Sequence, residues 1–491
     1  MSAFSQIPDK ARLPLTYIEI NNRASGRGLA AALETVLMFG QPLTELAAAL
    51  DVQPTEISSP ATARELYGTG SQLAQMATRF LTLNKTARLY CLPVLPGLTA
   101  AAATGSITLT GPATANGTLC VMIVGQQVQL GVQIGDDGDV LAPLLADAIN
   151  AVGTLPVTAA VDETDTTLVT LTAKWKGESG NDLDIRLNYY ASQRTPAGLT
   201  VAIEQMAGGS TSPALDDAIA ALGNTWYTRL VNPFTDESNL ALLSTELLER
   251  WGPVQMVDGI AFQSFRGNYG ETAAFGESRN DFLFSTMGSG LAPTPPWELA
   301  AINCAVASAA LAIDPARPLQ TLALTGFVPP ANSDCWEWSE RNQLLYDGIS
   351  TYSVDDAGVA HIDRQITMYR EDEYGNADDS YLDVNTISTL SYIRYVTKTR
   401  IEGKFGRMKL ADDGTSFAPG SPIVTPSIIK EELLALFREL ETAGLVEGWE
   451  QYKDELIVER DEDDRNRVNV YASQNIVNAF RIYAQAINYI G

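Results

Sequence analysis

The sequence predicts an α/β core, a mixed sheet with packed helices, interrupted by an inserted β-rich domain of sandwich or barrel-like type. Three observations lead to that class. A β-α-β unit lies between Glu34 and Val94, the pattern changes to short strands after Leu98, and the alternation of helix and strand resumes after Ser210. Because parallel strands need helical crossovers, the β-rich stretch reads as an interruption of one α/β domain, not as a unit preceding it.

Each element follows from local pattern. The run from Glu34 to Gly40 is short, apolar and closed by Gly-Gln-Pro, as a buried strand is. Leu73, Met76, Ala77, Phe80 and Leu83 recur at helical spacing and predict a helix over 71–83, with a second strand over 87–94. In the β-rich segment, residues 106–110, 118–124, 127–133, 167–173 and 183–188 alternate or are rich in β-branched side chains, and one helix falls near 141–152. Beyond it come a helix over 213–222, a strand over 226–231, a helix over 237–251, strands over 254–262 and 281–287, and a helix over 296–313. Residues 359–369 alternate as a strand carrying His361. Thr425 and Pro426 supply an N-cap and a first-turn proline for a helix carrying Ile428, Ile429, Leu433, Leu436, Phe437 and Leu440, which Gly444 ends. Short strands at 455–459 and 468–472 flank the charged loop 460–465, and the final stretch 481–490 fits a strand and a helix alike.

Composition bounds what such a fold can do. Of 491 residues, 33 are Lys or Arg and 59 are Asp or Glu, a formal net charge of -26, and 45% are hydrophobic. That length accommodates roughly two to four domains with cores needing neither disulfides nor metals. The acidity disfavours nucleic acid, whose recognition needs clustered cations. Cys91, Cys120, Cys304 and Cys335 are far apart and read as reduced, buried small hydrophobes, and His361 is the single histidine, so a multi-histidine metal site is excluded. Met1 to Leu15 holds Pro8, Asp9, Lys10, Arg12 and Pro14 and no secretion-type apolar run, and the apolar run 299–313 is interrupted by Asn303 and too short for a bilayer. Cytosol-like conditions and no membrane insertion are the expectation.

No catalytic signature emerges. Tyr67-Gly-Thr-Gly-Ser71 lacks the third glycine of a dinucleotide loop and reads as a loop with a helix cap, and Gly288-Ser-Gly290 reads as a turn. Asp136-Asp-Gly-Asp139 departs from calcium-loop spacing and reads as a solvated hairpin turn. The acidic runs Glu371-Asp-Glu373, Asp378-Asp379 and 461–464 read as solvated faces, and His361 as a strand-borne structural residue. Neither a cofactor nor a metal is expected. One stretch runs against the global charge: Arg394, Lys398, Arg400, Lys404, Arg407 and Lys409 face only Glu402, a candidate electrostatic docking surface for acidic copies of the chain or another partner.

An ordered set of short motifs resembles bacteriophage contractile tail sheath proteins of the Mu-like branch. It includes Gly105-Ser-Ile-Thr-Leu-Thr-Gly111, Leu171-Thr-Ala-Lys-Trp-Lys-Gly177 with Gly180-Asn181, and Pro196-Ala-Gly-Leu199 before Gly208-Gly209. Arg364-Gln-Ile-Thr-Met-Tyr369, Asp379-Ser-Tyr-Leu-Asp383, Thr389-Leu-Ser-Tyr-Ile-Arg394, Ile423-Val-Thr-Pro426, Gly444-Leu-Val-Glu447, Asn466-Arg467 and Ile476-Val-Asn478 continue it. The resemblance spans nearly the whole chain, more loosely at the N-terminus.

What it implies is a structural, non-enzymatic subunit. Copies would stack as a helical homopolymer around a tail tube, with baseplate and tail terminator proteins as further partners, and contract to drive the tube through the host envelope during genome delivery. The protein would belong to the virion and assemble in the host cytoplasm. It implies extended N- and C-terminal arms that add strands to neighbouring subunits: Thr16, Tyr17, Ile18, Glu19, Ile20 and Asn21 at one end, and Arg481, Ile482, Tyr483, Ala484, Gln485, Ala486, Ile487, Asn488, Tyr489 and Ile490 at the other. The implied organisation is an arm over 1–24, core over 25–97 and 210–419, an outward-projecting insertion over 98–209, an inner-core segment over 420–472 whose 428–442 helix approaches the tube, and an arm over 473–491. The sheath of a phage-derived bacteriocin or injection system fits equally, and an α/β hydrolase of envelope polysaccharide with an Asp/Glu pair is the alternative from another class.

Overall fold

The computed structural model describes residues 34–418 and 420–489, so the N-terminal arm with Thr16–Asn21, and Ile490, lie outside the described residues. Contacts divide the rest into two compact units, 34–391 with 479–489, and 392–478.

The larger unit is organised by an eight-stranded sheet. Its order is Ala360–Arg364, Ile349–Val354, Phe284–Gly290, Ile260–Arg266, Arg229–Val231, Thr35–Gly40, Arg88–Pro93 and Thr55–Glu56. The six inner strands run parallel and the two outermost pairs are antiparallel. Val36, Leu37, Met38 and Phe39 are all fully buried, which explains why this strand reads as a continuous apolar run without alternation: both of its faces are covered. Helices Gln72–Leu83 and Glu237–Trp251 lie close to their expected bounds, each capped by a side chain, Ser71 on the amide of Ala74 and Asp236 on that of Asn239.

The Pro296–Ile313 helix is long and apolar enough to cross a membrane, yet 72% of it is buried inside the protein, where it packs on the sheet and on Gln72–Leu83. Asn84 links these two helices, its Nδ2 donating to the Ala305 carbonyl and to Ser308 Oγ at 3.2 and 2.9 Å.

Several expectations are corrected. The strand placed at 254–262 lies at Ile260–Arg266, because Met256 has φ 50° and the Val257 amide folds back on the Arg250 carbonyl, leaving Val254 91% exposed. Gly288-Ser-Gly290 is not a turn but the buried end of the Phe284–Gly290 strand; a Cβ on Gly288 would stand 2.5 Å from the Trp336 ring. Asp137 is not in a hairpin turn: it caps the Gly138–Ala151 helix, and Gly138 is required because its Cβ would stand 2.0 Å from the Leu109 carbonyl oxygen. A missed helix, Tyr269–Glu277, starts with a capping box of Asn268 and Glu271, a signal masked by its two glycines.

Strands within 104–207 form two sheets of their own. One has the order Thr200–Ala207, Thr104–Thr110, Leu168–Ala173, Val157–Val161, and the other Gln126–Val132, Gly117–Ile123, Ile185–Leu187. Val157–Val161 and Thr200–Ala207 escaped notice because Ala, Thr, Glu and Gln give them no apolar alternation. Side-chain amides take the place of a neighbouring strand here. Gln205 accepts from the Ile185 amide and donates to its carbonyl at 3.1 and 2.7 Å, and Asn150 does the same to Ala159 at 2.9 and 2.8 Å. Asn181 grips Gly209 likewise.

The smaller unit is built on the Pro426–Thr442 helix, which buries Ile429, Leu433, Leu436, Phe437 and Leu440. Phe437 stacks on Tyr452 with centroids 4.0 Å apart, and the Arg438 guanidinium lies 3.6 Å from the Trp449 ring centroid. Thr425 occupies the N-cap position without bonding the helix; Asp413 accepts from the Ser427 amide and hydroxyl instead. Gly444, at φ 74°, supplies the left-handed residue that ends the helix. An antiparallel hairpin, Ile457–Arg460 with Val468–Tyr471, completes the unit together with short strand pairs.

We predict that Gln205→Ala lowers stability by about 1–3 kcal/mol, the cost of leaving buried backbone groups unpaired. Amide hydrogen exchange should accelerate most over 183–188.

Candidate assembly surfaces

The chemistry-bearing residues do not converge. No group of three or more His, Cys, Asp or Glu side chains is placed to hold a metal among the described residues. The acidic runs are exposed and spend their carboxylates on their own turns, Asp372 on the amides of Tyr374 and Asn376, Asp378 on Ser380, and Asp461 on Asp463 and Asp464. Burial raises the Asp182 carboxyl to about 6, but its facing charge is Arg266, and it does not line the large cleft of ≈1080 Å³ walled by Tyr189, Phe327, Trp336 and Tyr352. Cys91, Cys120 and Cys304 are buried and Cys335 is partly exposed, all as free thiols.

His361 sits on the outermost strand of the large sheet and closes it. Backbone bonds from Thr321 to Ile362, Ile362 to Leu322 and Leu324 to Ala360 cover the strand's outer edge. The His361 ring reaches the Thr321 carbonyl through Nδ1 and Asp355 through Nε2, both at 3.1 Å. These partners, Thr321 first, raise the imidazole above its ordinary value, because both favour a ring that donates from each nitrogen.

The C-terminal arm has no regular structure over 477–489, so neither the strand nor the helix reading describes it within one chain. It is nevertheless pinned at its root. Arg481 Nη2 stands 2.8 Å from Asp383 Oδ1, on a carboxylate that Arg364 already grips with two bonds of 3.0 Å, and Gln320 donates to the Phe480 carbonyl at 3.2 Å. Beyond this point the side chains stand in solvent: Ile482 is 83% exposed, Ile487 82% and Tyr489 91%, with Tyr483, Ala484, Gln485, Ala486 and Asn488 exposed as well. Arg364 and Asp383 carried no role in the sequence; only folding brings them beside Arg481.

The six cations of the basic stretch have different surroundings. Arg394, Lys398, Arg400 and Lys404 lie on the Val384–Phe405 helix, whereas Arg407 and Lys409 follow it. Arg400, 13% exposed, bonds Glu432 at 2.9 Å and grips Glu439 through both terminal nitrogens, and Lys404 reaches Glu432 at 2.5 Å. Two of the six thus neutralise the Pro426–Thr442 helix of the same chain. Arg394 and Lys398 are half-buried, and Arg407 and Lys409 are exposed.

Strand backbone is also available in the hairpin of the smaller unit. It pairs only with itself, leaving the outer edges of Ile457–Arg460 and Val468–Tyr471 without a strand neighbour among the described residues, and Ile457, Val470 and Tyr471 are 51%, 43% and 58% exposed.

Comparisons with known proteins fall on these same segments. Residues 98–211 match the phage tail sheath protein beta-sandwich domain, 208–368 the phage tail sheath protein central domain, and 376–489 the phage tail sheath C-terminal domain. The chain is 46% identical over 488 residues to the Mu-like prophage FluMu tail sheath protein of Haemophilus influenzae, covering 99% of each. It is similar to the solved sheath tail protein of Desulfitobacterium hafniense at 12% identity and a TM-score of 0.47, covering 94% of this chain and 100% of that one. The sheath tail protein Lin1278 of Listeria innocua gives 9% and 0.45, covering 92% and 97%.

A raised imidazole stabilises the fold fully below its unfolded value near 6.5 and ceases to as pH rises through the folded value. Wild type should therefore exceed His361→Gln in melting temperature below pH 6.5, with the difference shrinking as pH rises above it.

Proposed function

Because the chain belongs to the phage tail sheath family, we propose that its copies form a helical sleeve around a tail tube, and that the sleeve shortens and widens to drive the tube through the bacterial envelope. As a tail sheath protein it is a structural component of a phage or phage-like contractile tail. The hydrolase reading has no support from any relative.

The observation that carries the mechanism is the pair of unmatched strand features. The arm beyond Arg481 holds Ile482, Tyr483, Ile487 and Tyr489 in solvent, and the 457–471 hairpin leaves its outer edges unpaired among the described residues. An arm of one copy added to the hairpin of another satisfies both at once. Each main-chain hydrogen bond so formed contributes about 0.5–1.5 kcal/mol net, so several tether a subunit firmly. Arg481, with Asp383 and Arg364, sets where the arm leaves its own subunit, so the donor strand begins at Ile482. Arms joined this way let subunits rotate and slide while staying linked. The N-terminal residues Thr16–Asn21 are proposed as the second donor.

The energy of contraction is stored in the extended assembly at polymerisation and released on a baseplate trigger, with no cofactor or nucleotide consumed. Residues 98–209, with 11 acidic against 4 basic side chains, are assigned as an inserted, outward-facing β-rich domain. Residues 25–97, 210–419 and 420–472 are assigned to the inner shell, with the 426–442 helix towards the tube. Lys398, Arg407 and Lys409 are members of the basic stretch with no ion pair to Glu432 or Glu439, and are assigned to docking on acidic neighbours. Tail terminator proteins would close the sleeve, which assembles in the host cytoplasm.

Deleting residues 481–491 should leave a folded, soluble subunit that no longer polymerises, read by circular dichroism, sedimentation and electron micrographs. Sheath-like tubes of the truncated protein would refute the donor-strand assignment.

A further inference from the structure

We propose that a cationic cleft in the larger unit, bounded by the helices Pro60–Tyr67, Gln72–Leu83 and Pro296–Ile313, receives a carboxylate side chain from a second copy of this chain. The proposal rests on the polymer reading above and adds to it a specific contact.

The cleft encloses ≈380 Å³ and is lined by Arg64, Gly70, Gln75, Thr78, Arg79 and Glu298, among others. Arg79 Nε donates to Glu298 Oε2 at 2.5 Å, and Glu298 is 1% exposed, so this pair is an internal one. Arg64 is half-buried, and its guanidinium has no partner among the described residues. A third cation stands next to the lining residue Gly70: Lys174 Nζ is 2.8 Å from where a Cβ of Gly70 would stand and, among the described residues, bonds only the Gly153 carbonyl, at 3.0 Å. Burial lowers the proton affinity of this ammonium, as expected where no carboxylate faces it. Two cations of the lining, Arg64 and Arg79, thus face one carboxylate, with Lys174 beside Gly70 just outside the lining, in a chain that carries 59 acidic and 33 basic residues.

The other polar groups decide what kind of anion fits. Thr78 Oγ1 donates to the Ala74 carbonyl at 2.7 Å, Thr82 Oγ1 to that of Thr78 at 2.7 Å, Thr154 Oγ1 to Gln126 at 2.9 Å, and Gln75 Nε2 to the Thr154 carbonyl at 2.6 Å. The hydroxyls and the Gln75 amide are therefore committed as donors, and what remains in the lining are the guanidinium forks of Arg64 and Arg79. Such forks pair bidentately with a carboxylate or a phosphate alike, and of the two it is the carboxylate that an acidic neighbouring copy supplies. Every copy of the chain brings exposed carboxylates, for instance at Glu371–Glu373 and on the 461–464 loop, so a second copy supplies the complementary charge at the concentration of the polymer.

The test uses the full-length chain. Wild-type tubes in electron micrographs are the control, and their absence would strike the polymer reading itself and not this contact. Given tubes, Arg64→Glu and Lys174→Glu should each lower the sedimenting fraction about tenfold at low salt with an unchanged melting temperature, and Arg64→Lys should retain most of it. Mixed isotope-labelled and unlabelled wild-type tubes, coupled with a zero-length carbodiimide, should yield Lys174 joined to an Asp or Glu of a different copy. That cross-link decides the matter if a glutamate variant fails to fold. Variants that polymerise like wild type, Lys174 joined only within its own chain, or inorganic phosphate bound in the cleft while Arg64→Glu tubes form normally, would each overturn the proposal.

Discussion

A strand edge presents amide and carbonyl groups that must be paired, and much of this structure is a set of answers to that requirement. At one end of the large sheet, Ala360–Arg364 is covered by residues 321–324, with His361 holding the cover in place. In the β-rich segment, Gln205 and Asn150 fill edge positions with side-chain amides that copy a backbone neighbour. An amide can do this because it carries a donor and an acceptor at nearly the spacing of a peptide unit. Against that background the open edges of the 457–471 hairpin stand apart. Among the described residues both of its outer edges lack a strand neighbour, beside exposed Ile457 and Tyr471.

Charge follows a similar logic of local satisfaction. The net -26 does not mean that cations are free to bind anions wherever they occur. Arg400 and Lys404 are held by Glu432 and Glu439, Arg364 and Arg481 share Asp383, and Arg79 holds the buried Glu298. Removing a partner from such a site leaves a desolvated charge, so these pairs fix geometry more than they add stability. Other cations make no ion pair among the described residues, Arg64 in the cleft and Lys398, Arg407 and Lys409 of the basic stretch among them, and these are available to acidic copies of the chain.

Much of the fold could be read from residue pattern where packing and pattern agree. The helices Glu237–Trp251 and Pro296–Ile313 fall on their expected bounds because a cap or proline at one end and a continuous apolar face along the length leave little choice. Pattern failed where a tertiary neighbour supplied the reason. Gly288 and Gly290 look like turn residues until the Trp336 ring is seen to occupy the space a side chain would need. Thr200–Ala207 is short of a clear alternating pattern, with Glu204 and Gln205 adjacent, and its place in the sheet is set by pairing with Thr104–Thr110. The arm was legible as a candidate through its Ile and Tyr content, but its anchor was not, since Arg364, Asp383 and Arg481 are far apart in the chain.

What the sequence determined by itself is the periodicity, the turn chemistry and the family, because apolar spacing, glycine placement and ordered motifs are properties of neighbours along the chain. Tertiary structure alone decided which charges cancel, which edges close and where the arm is free to begin. Those outcomes depend on through-space distance, and a carboxylate meets a guanidinium from another part of the chain only after the intervening elements have packed. The same six basic residues that form one stretch broken only by Glu402 in sequence are, once folded, partly internal struts and partly surface.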